Sequence, residues 1–155
     1  MPKSSGYTLI ELMVVLTIIA TLSTIGFVTY TTFLKNARDA RRQADLKFIQ
    51  SALEQYHGDQ KHYPAGLDFG DRLTNATGVT PAPVVSKTYL NNVPIGPSGA
   101  AEYLYKAFKS DNSQCIASEA ISCTKYCLYA KAENMSQVES LCPDQVGFTM
   151  EVTSP

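Results

Sequence analysis

The sequence predicts an α+β fold, a long N-terminal helix packed on a small antiparallel sheet, and three patterns carry that prediction. Leu12 to Leu34 contains no charged residue. Ala37, Ala40, Ala44, Phe48, Ala52 and Tyr56 then recur every three or four residues, with Ile49 and Leu53 widening the stripe, as on an amphipathic helix packed on one side. Near the C-terminus Tyr126, Leu128, Ala130 and Ala132 alternate with Cys127, Tyr129, Lys131 and Glu133, the period of a half-buried strand.

The first element is long enough to cross a bilayer, which takes about 20 apolar residues as a helix. Glu11 at its head is the anomaly. An ionised acid inside a membrane helix costs about 2.5 to 3.5 kcal/mol on insertion scales, so it normally has a partner and a function. No basic residue follows before Lys35, so the expected partner is not a nearby side chain. A secretory signal peptide has an apolar core of about 7 to 15 residues and a small-residue cut site, shorter than this run and without an acid at its head. A plain single-pass anchor accounts for Leu12 to Leu34 and leaves Glu11 unexplained.

The run Gly6-Tyr7-Thr8-Leu9-Ile10-Glu11, preceded by a short leader bearing Lys3 and followed by the apolar stretch, resembles the class III signal of type IV pilins and of type II secretion pseudopilins. Tyr7 stands where the family usually has phenylalanine. The resemblance implies that a prepilin peptidase cuts after Gly6 and methylates the new amine of Tyr7. That amine, with an unperturbed pKa of about 7.7 to 8.0, can neutralise the Glu11 of a neighbouring chain. An offset of about four residues, or about 6 Å at 1.5 Å per residue, brings the two groups level.

Charge and resemblance conflict over orientation. Lys35, Arg38, Arg41, Arg42 and Lys47 lie beyond the apolar run against Lys3 alone before it, so the positive-inside rule puts the C-terminal part in the cytoplasm. The specific signal and four cysteines, which suit an oxidising compartment, put it outside. The expected location is therefore the cytoplasmic membrane, single pass, and then a periplasmic or extracellular filament.

The expected divisions are a leader over residues 1–6, a transmembrane and filament-core helix over 7–34, an amphipathic continuation over 35–57, and a globular head over 58–155. Gly58 is the expected stop of the helix. Gly26, among Thr24, Ile25, Val28, Thr29, Thr31 and Thr32, makes the middle of the membrane segment its weakest stretch by propensity; many pilins have proline where Val28 stands. From Lys35 to Lys47 there are five basic residues and two acids, and from Asp59 onward seven basic and ten acidic residues. The basic cluster reads as a solvated helix face, or alternatively as a contact with the acidic head of a neighbour or with phospholipid headgroups. The near-neutral net charge of −1 gives no reason to propose nucleic-acid binding.

Within the head, residues 58–101 are punctuated by prolines and glycines and read as loops with short ordered pieces. Tyr89-Leu90-Asn91-Asn92-Val93-Pro94, then Pro97, Gly99 and Tyr103, resembles the segment before the sheet in major pseudopilins and in many Gram-positive competence and pilus pilins. The sheet occupies 102–155, with strands expected at Glu102 to Lys109, Lys125 to Glu133 and Val146 to Val152. Tyr126, Leu128, Ala130 and Ala132 are expected to face the helix.

Cys115, Cys123, Cys127 and Cys142 allow three pairings. Cys115 with Cys123 and Cys127 with Cys142 is preferred, since the first closes a loop between strands and the second ties the C-terminal segment to the sheet. Cys123 and Cys127 are spaced as some zinc sites allow, but an export signal favours disulfides. Major pseudopilins bind calcium in an acidic C-terminal loop through hard oxygen ligands; here Asp111, Asn112, Ser113 and Glu119 are the weak candidates, without the dense glycine-aspartate run. No metal or other cofactor is otherwise expected. His57 and His62 read as surface or capping residues at the helix end, and no nucleophile motif or paired general acid and base stands out, so no enzyme is expected.

The functional expectation is a structural filament subunit whose partners are further copies of itself, prepilin peptidase, inner-membrane pilus or secretion machinery and membrane lipid. The alternatives are a major pseudopilin of type II secretion and a membrane-anchored ligand-binding domain that never polymerises.

Overall fold

Fifty-two consecutive residues form helix α1, Leu9–Gln60, in the computed structural model, which describes residues 6–134, 142–143 and 147–155. Two compact units divide the chain, residues 1–37 and residues 38–155, and α1 runs through both. In the first unit the large apolar side chains are exposed, from Tyr7 (93%) to Phe33 (66%). A helix that exposes an unbroken apolar surface is suited to lipid or to other such helices, not to water. Its threonines do not offer free hydroxyls to that apolar surface: Thr17 donates to Val14 O at 2.8 Å, Thr21 to Ile18 O at 2.9 Å and Thr24 to Thr21 O at 2.8 Å. Such back-bonding satisfies polar groups inside the helix itself, and the helix continues unbroken through Gly26.

In the second unit the buried positions of α1 are Asp39, Arg42, Leu46, Ile49, Leu53 and Tyr56, with Ala52 beside them. Their spacing of three and four residues makes one helix face. This corrects the expected stripe in its first half: Ala37, Ala40, Ala44 and Phe48 are exposed, Phe48 by 55%. The face that packs on the head begins with an acid and an arginine, so apolar periodicity alone selected the neighbouring face. The helix also passes Gly58 and ends at Gln60. Lys61 makes the stop by adopting φ +65°, its N–H donating to His57 O at 2.8 Å and its ammonium to Gly58 O at 2.7 Å. His62, read as a surface residue, is buried at 8% exposure edge-on to the Tyr56 ring, and His57 stacks on Tyr63.

Strands β1, Leu73–Thr74, and β2, Thr88–Leu90, form a small antiparallel ladder within the loop region. Strands β3, Tyr103–Phe108, β4, Lys125–Ala130, and β5, Met150–Thr153, form an antiparallel sheet with β4 in the centre. Tyr105 opposes Leu128, and Leu128 opposes Val152. β4 stops earlier than expected because its continuation bonds elsewhere: Ala132 N–H donates to Thr149 Oγ1 and Glu133 N–H to the Asp39 carboxylate on α1. Val146, the expected start of the last strand, lies outside the described residues; β5 begins at Met150.

Tyr126, Leu128 and Ala130 share the main core with Leu46, Ile49, Leu53 and Tyr56 of α1. The opposite face of β4 is buried as well, where Cys127 and Tyr129 pack with Phe108, Cys142 and Phe148 in a second cluster. The strand is therefore not half-buried. Its second face is covered in part by Cys142, which the disulfide to Cys127 holds against it, and by Phe148.

Candidate functional site: the N-terminal signal and the joint that holds the head

Helix α1 opens with a reciprocal cap. Thr8 donates to Glu11 Oε2 from its backbone N–H at 2.8 Å and from its hydroxyl at 2.8 Å, while Glu11 N–H donates to Thr8 Oγ1 at 3.3 Å. The first amides of a helix have no intrahelical acceptor, and this Thr-x-x-Glu box satisfies two donors with one pair of side chains. The carboxylate also faces the positive end of the helix dipole. The expectation that Glu11 lacks a side-chain partner nearby is thus corrected: Thr8 is that partner. The signal was legible in the sequence as Thr8 followed three residues later by Glu11. Gly6 and Tyr7 precede the helix outside regular secondary structure, Tyr7 fully open to its surroundings, and the rest of the expected leader, residues 1–5, lies outside the described residues.

The second constellation was not read from the sequence. Arg42, 1% exposed at its side chain, donates to Asp39 Oδ1 at 2.7 Å, to Glu102 Oε1 at 2.6 Å and to Glu133 Oε1 at 3.1 Å. Arg38 grips both oxygens of Glu133 at 2.6 and 2.5 Å. Asp39 in turn accepts the backbone N–H groups of Glu133 and Asn134 at 3.0 and 2.9 Å. Glu102 precedes β3 and Glu133 follows β4, so the joint ties α1 to the open end of the β3–β4 hairpin. The arginine fork suits this task because its planar donors meet several carboxylates at fixed angles. The hydrogen bond from Arg38, helped by Arg42, holds the Glu133 carboxyl down at about 2 against some burial. For Glu102, burial pushes the pKa up and is outweighed by Arg42 and the Ser98 amide, which leave it lowered. The basic cluster is accordingly not a simple solvated face, since two of its arginines are engaged by acids of the same chain.

The cysteines are joined as Cys115–Cys123 and Cys127–Cys142, and neither Cys123 nor Cys127 is free to hold zinc. The calcium candidates do not converge. Asp111 Oδ1 accepts from Ser113 at 2.6 Å, Asn112 Oδ1 accepts from Lys125 at 3.1 Å, and Glu119 is held by the Lys109 ammonium. Among the described residues no group of three His, Cys, Asp or Glu side chains is placed to hold a metal ion.

Comparison with known proteins bears first on the signal. Residues 1–27 match the prokaryotic N-terminal methylation motif. The chain is 28% identical over 99 residues to the type II secretion system core protein G of Escherichia coli (strain K12), covering 63% of this chain and 68% of that protein. The protein of the same description from Aeromonas hydrophila is 27% identical over 99 residues, covering 63% of this chain and 69% of its own length. The motif and these two similarities support the type IV pilin and pseudopilin family. No solved structure matches the chain significantly. The chain carries an apolar helix with an acid at its head, followed by a compact α+β head braced by arginine and disulfides.

Proposed function

We propose that the chain is the structural subunit of a type IV pilus or pilus-like filament. Prepilin peptidase removes residues 1–6 after Gly6 and methylates the amine of Tyr7. The helix holds the subunit in the membrane with its head outside the cytoplasm, and membrane-embedded assembly machinery then draws it into a homopolymer. The observation that carries this reading is the exposed apolar surface from Tyr7 to Leu34, headed by Glu11 in a segment that matches the methylation motif. Such a surface needs lipid before assembly and neighbouring helices after it. The role is structural, not catalytic.

A type II secretion pseudopilin is the second reading, and the described names of its relatives favour it. Calcium does not enter either proposal, since Asp111 and Glu119 already have partners. Intact-mass measurement and N-terminal sequencing of protein from membranes and from sheared filaments test processing and polymerisation together. The expected product starts at N-methylated Tyr7 in both fractions; recovery of only full-length chain from filaments would overturn the processing step. Absence of any filament favours the membrane-anchored, non-polymerising alternative.

A further inference from the structure

An open-ended helical polymer needs two different complementary patches on each subunit, because a heterologous contact that does not close is what propagates a filament. The head unit carries two such patches. On α1, the face turned away from the sheet presents Ala40, Ala44 and Ser51, all exposed, with Phe48 and Arg41 along one flank and Lys47 along the other. The small residues let another surface approach closely, and Phe48 offers a large exposed apolar side chain. Lys47 has no ion pair among the described residues, and Arg41 reaches Asp45 only at 3.9 Å.

The second patch lies in the loop region. An open hollow of about 550 Å3 is bordered by Asp68, Asp71, Arg72 and Val85. Val85 is 58% exposed and Val84 beside it 89%. The Asp71 carboxylate accepts the neighbouring Arg72 amide, and among the described residues neither Asp68 nor Asp71 has an ion pair, although Arg72 shares the hollow. The loop that presents Val84 and Val85 is held from beneath: the buried Asn75 donates to Val84 O at 3.1 Å and accepts the amides of Ser86 and Lys87 at 2.9 and 3.2 Å. A buried amide spent on three backbone groups fixes the loop's shape while leaving its valines outside.

We infer that the Asp68–Asp71–Val85 hollow receives the Phe48 side of α1 from a second copy of this chain, with Lys47 and Arg41 of that copy facing Asp68 and Asp71. The occupant is a second copy because the two patches are complementary in both respects that matter: apolar ring against valine, and Lys47, with Arg41 only loosely held by Asp45 at 3.9 Å, against two carboxylates that have no ion pair among the described residues. This rests on the filament reading and adds the contact by which heads are held in register along it. Complementary charge sets register and partner choice more than raw affinity.

Carbodiimide cross-linking of sheared filaments, followed by peptide mass spectrometry, provides the test, together with filament yield from charge-swapped variants. A linked peptide joining Lys47 to Asp68 or Asp71 is expected in filaments and absent from dispersed subunits. Lys47→Glu and Asp71→Lys should each lower filament yield by about five-fold, the equilibrium factor of a surface pair at the top of its usual range. The double variant should recover to near wild-type yield, which a merely misfolded head would not do. Filaments that form without the linkage, and wild-type yield from Phe48→Ala and Lys47→Glu, would overturn this contact and leave the filament reading standing. Failure of the wild-type chain to form any filament would overturn both.

Discussion

Arg42 Nη2 lies 2.6 Å from Glu102 Oε1 and 3.1 Å from Glu133 Oε1, so one buried guanidinium joins the helix to both strands that pack on it. The arrangement leaves little slack. Among the described residues Arg42 is the largest fully buried side chain, and it sits where the apolar stripe of α1 gives way to polar residues. Arg42→Ala strands Asp39 and Glu102 without their cation. Breaking a buried pair by removing one partner costs about 3 to 5 kcal/mol, so the variant should unfold at clearly lower denaturant, read by near-ultraviolet circular dichroism of the head tyrosines. Arg42→Lys keeps charge but loses the fork, and should fall between.

The same joint sets an acid limit. Glu133 titrates at about 2 in the fold instead of the usual 4.5, chiefly through the Arg38 hydrogen bond, and Glu102 is lowered as well. A carboxyl whose pKa is depressed on folding stabilises the fold above its unfolded pKa and loses that contribution as pH falls toward the folded value. Stability of the head should therefore decline from about pH 4.5 down to about 2. Glu133→Gln should be less stable at neutral pH yet show a shallower acid slope, measured by denaturant titration at each pH.

Much of the architecture was legible in the sequence because it rests on periodicity. The amphipathic half of the long helix and the central strand follow from spacing of three to four and of two, and the N-terminal half of the helix from an unbroken apolar run. What was not legible is where charged residues act as core. Asp39 and Arg42 occupy the packed face of α1, so a stripe of alanines ending in Phe48 was the more apolar choice and the wrong one. Glu102 and Glu133 bracket strands and carried no pattern linking them to a helix 60 and more residues earlier. Gly58 looked like a stop, whereas Lys61 ends the helix by a backbone conformation that sequence rarely assigns to lysine. At the N-terminus, Thr8 and Glu11 did form a readable capping box, masked by the attention that a membrane carboxylate draws.

Gly96 is a further constraint imposed by the joint. A Cβ at this position would collide with Glu102 Oε2 and lie 2.7 Å from Glu102 Cβ. Gly96→Ala must push Glu102 away from Arg42 and from the Ser98 amide that it accepts at 3.1 Å. Overpacking of this kind costs about 1 to 3 kcal/mol. The loss should be strongly non-additive with Glu102→Ala, since both act on one contact; a double-mutant cycle by denaturant unfolding checks it.

Reduction should act locally. Cys127–Cys142 closes 15 residues and covers the second face of β4, and a loop of that length contributes about 3 kcal/mol by restricting the unfolded chain. Cys127→Ser with Cys142→Ser should raise amide exchange in β4 and β5 while sparing α1 from Leu9 to Phe33, which has no cysteine. Exchange followed by mass spectrometry reads the difference.

The last prediction concerns the start of the helix. In the isolated subunit Glu11 is held by Thr8 through both its amide and its hydroxyl, so the acid enters assembly already oriented at the helix end. Thr8→Val removes the hydroxyl and leaves the amide; loss of such a cap costs about 1 kcal/mol, so cleavage should proceed and filament yield should fall modestly. Glu11→Ala removes the capping partner and also, on the proposed filament reading, the counter-charge for the Tyr7 amine of a neighbour. Membrane insertion should not suffer, because an acid has been taken out of the apolar segment. Assembly should, by at least about ten-fold, because an unpaired charge is buried again with each added subunit. Glu11→Gln keeps an acceptor for Thr8 without the charge and should lie between the two. The ratio of sheared filament to processed subunit separates these outcomes: wild-type yield from Glu11→Ala would remove Glu11 from assembly, and equal defects in Thr8→Val and Glu11→Ala would reduce its part to capping the helix.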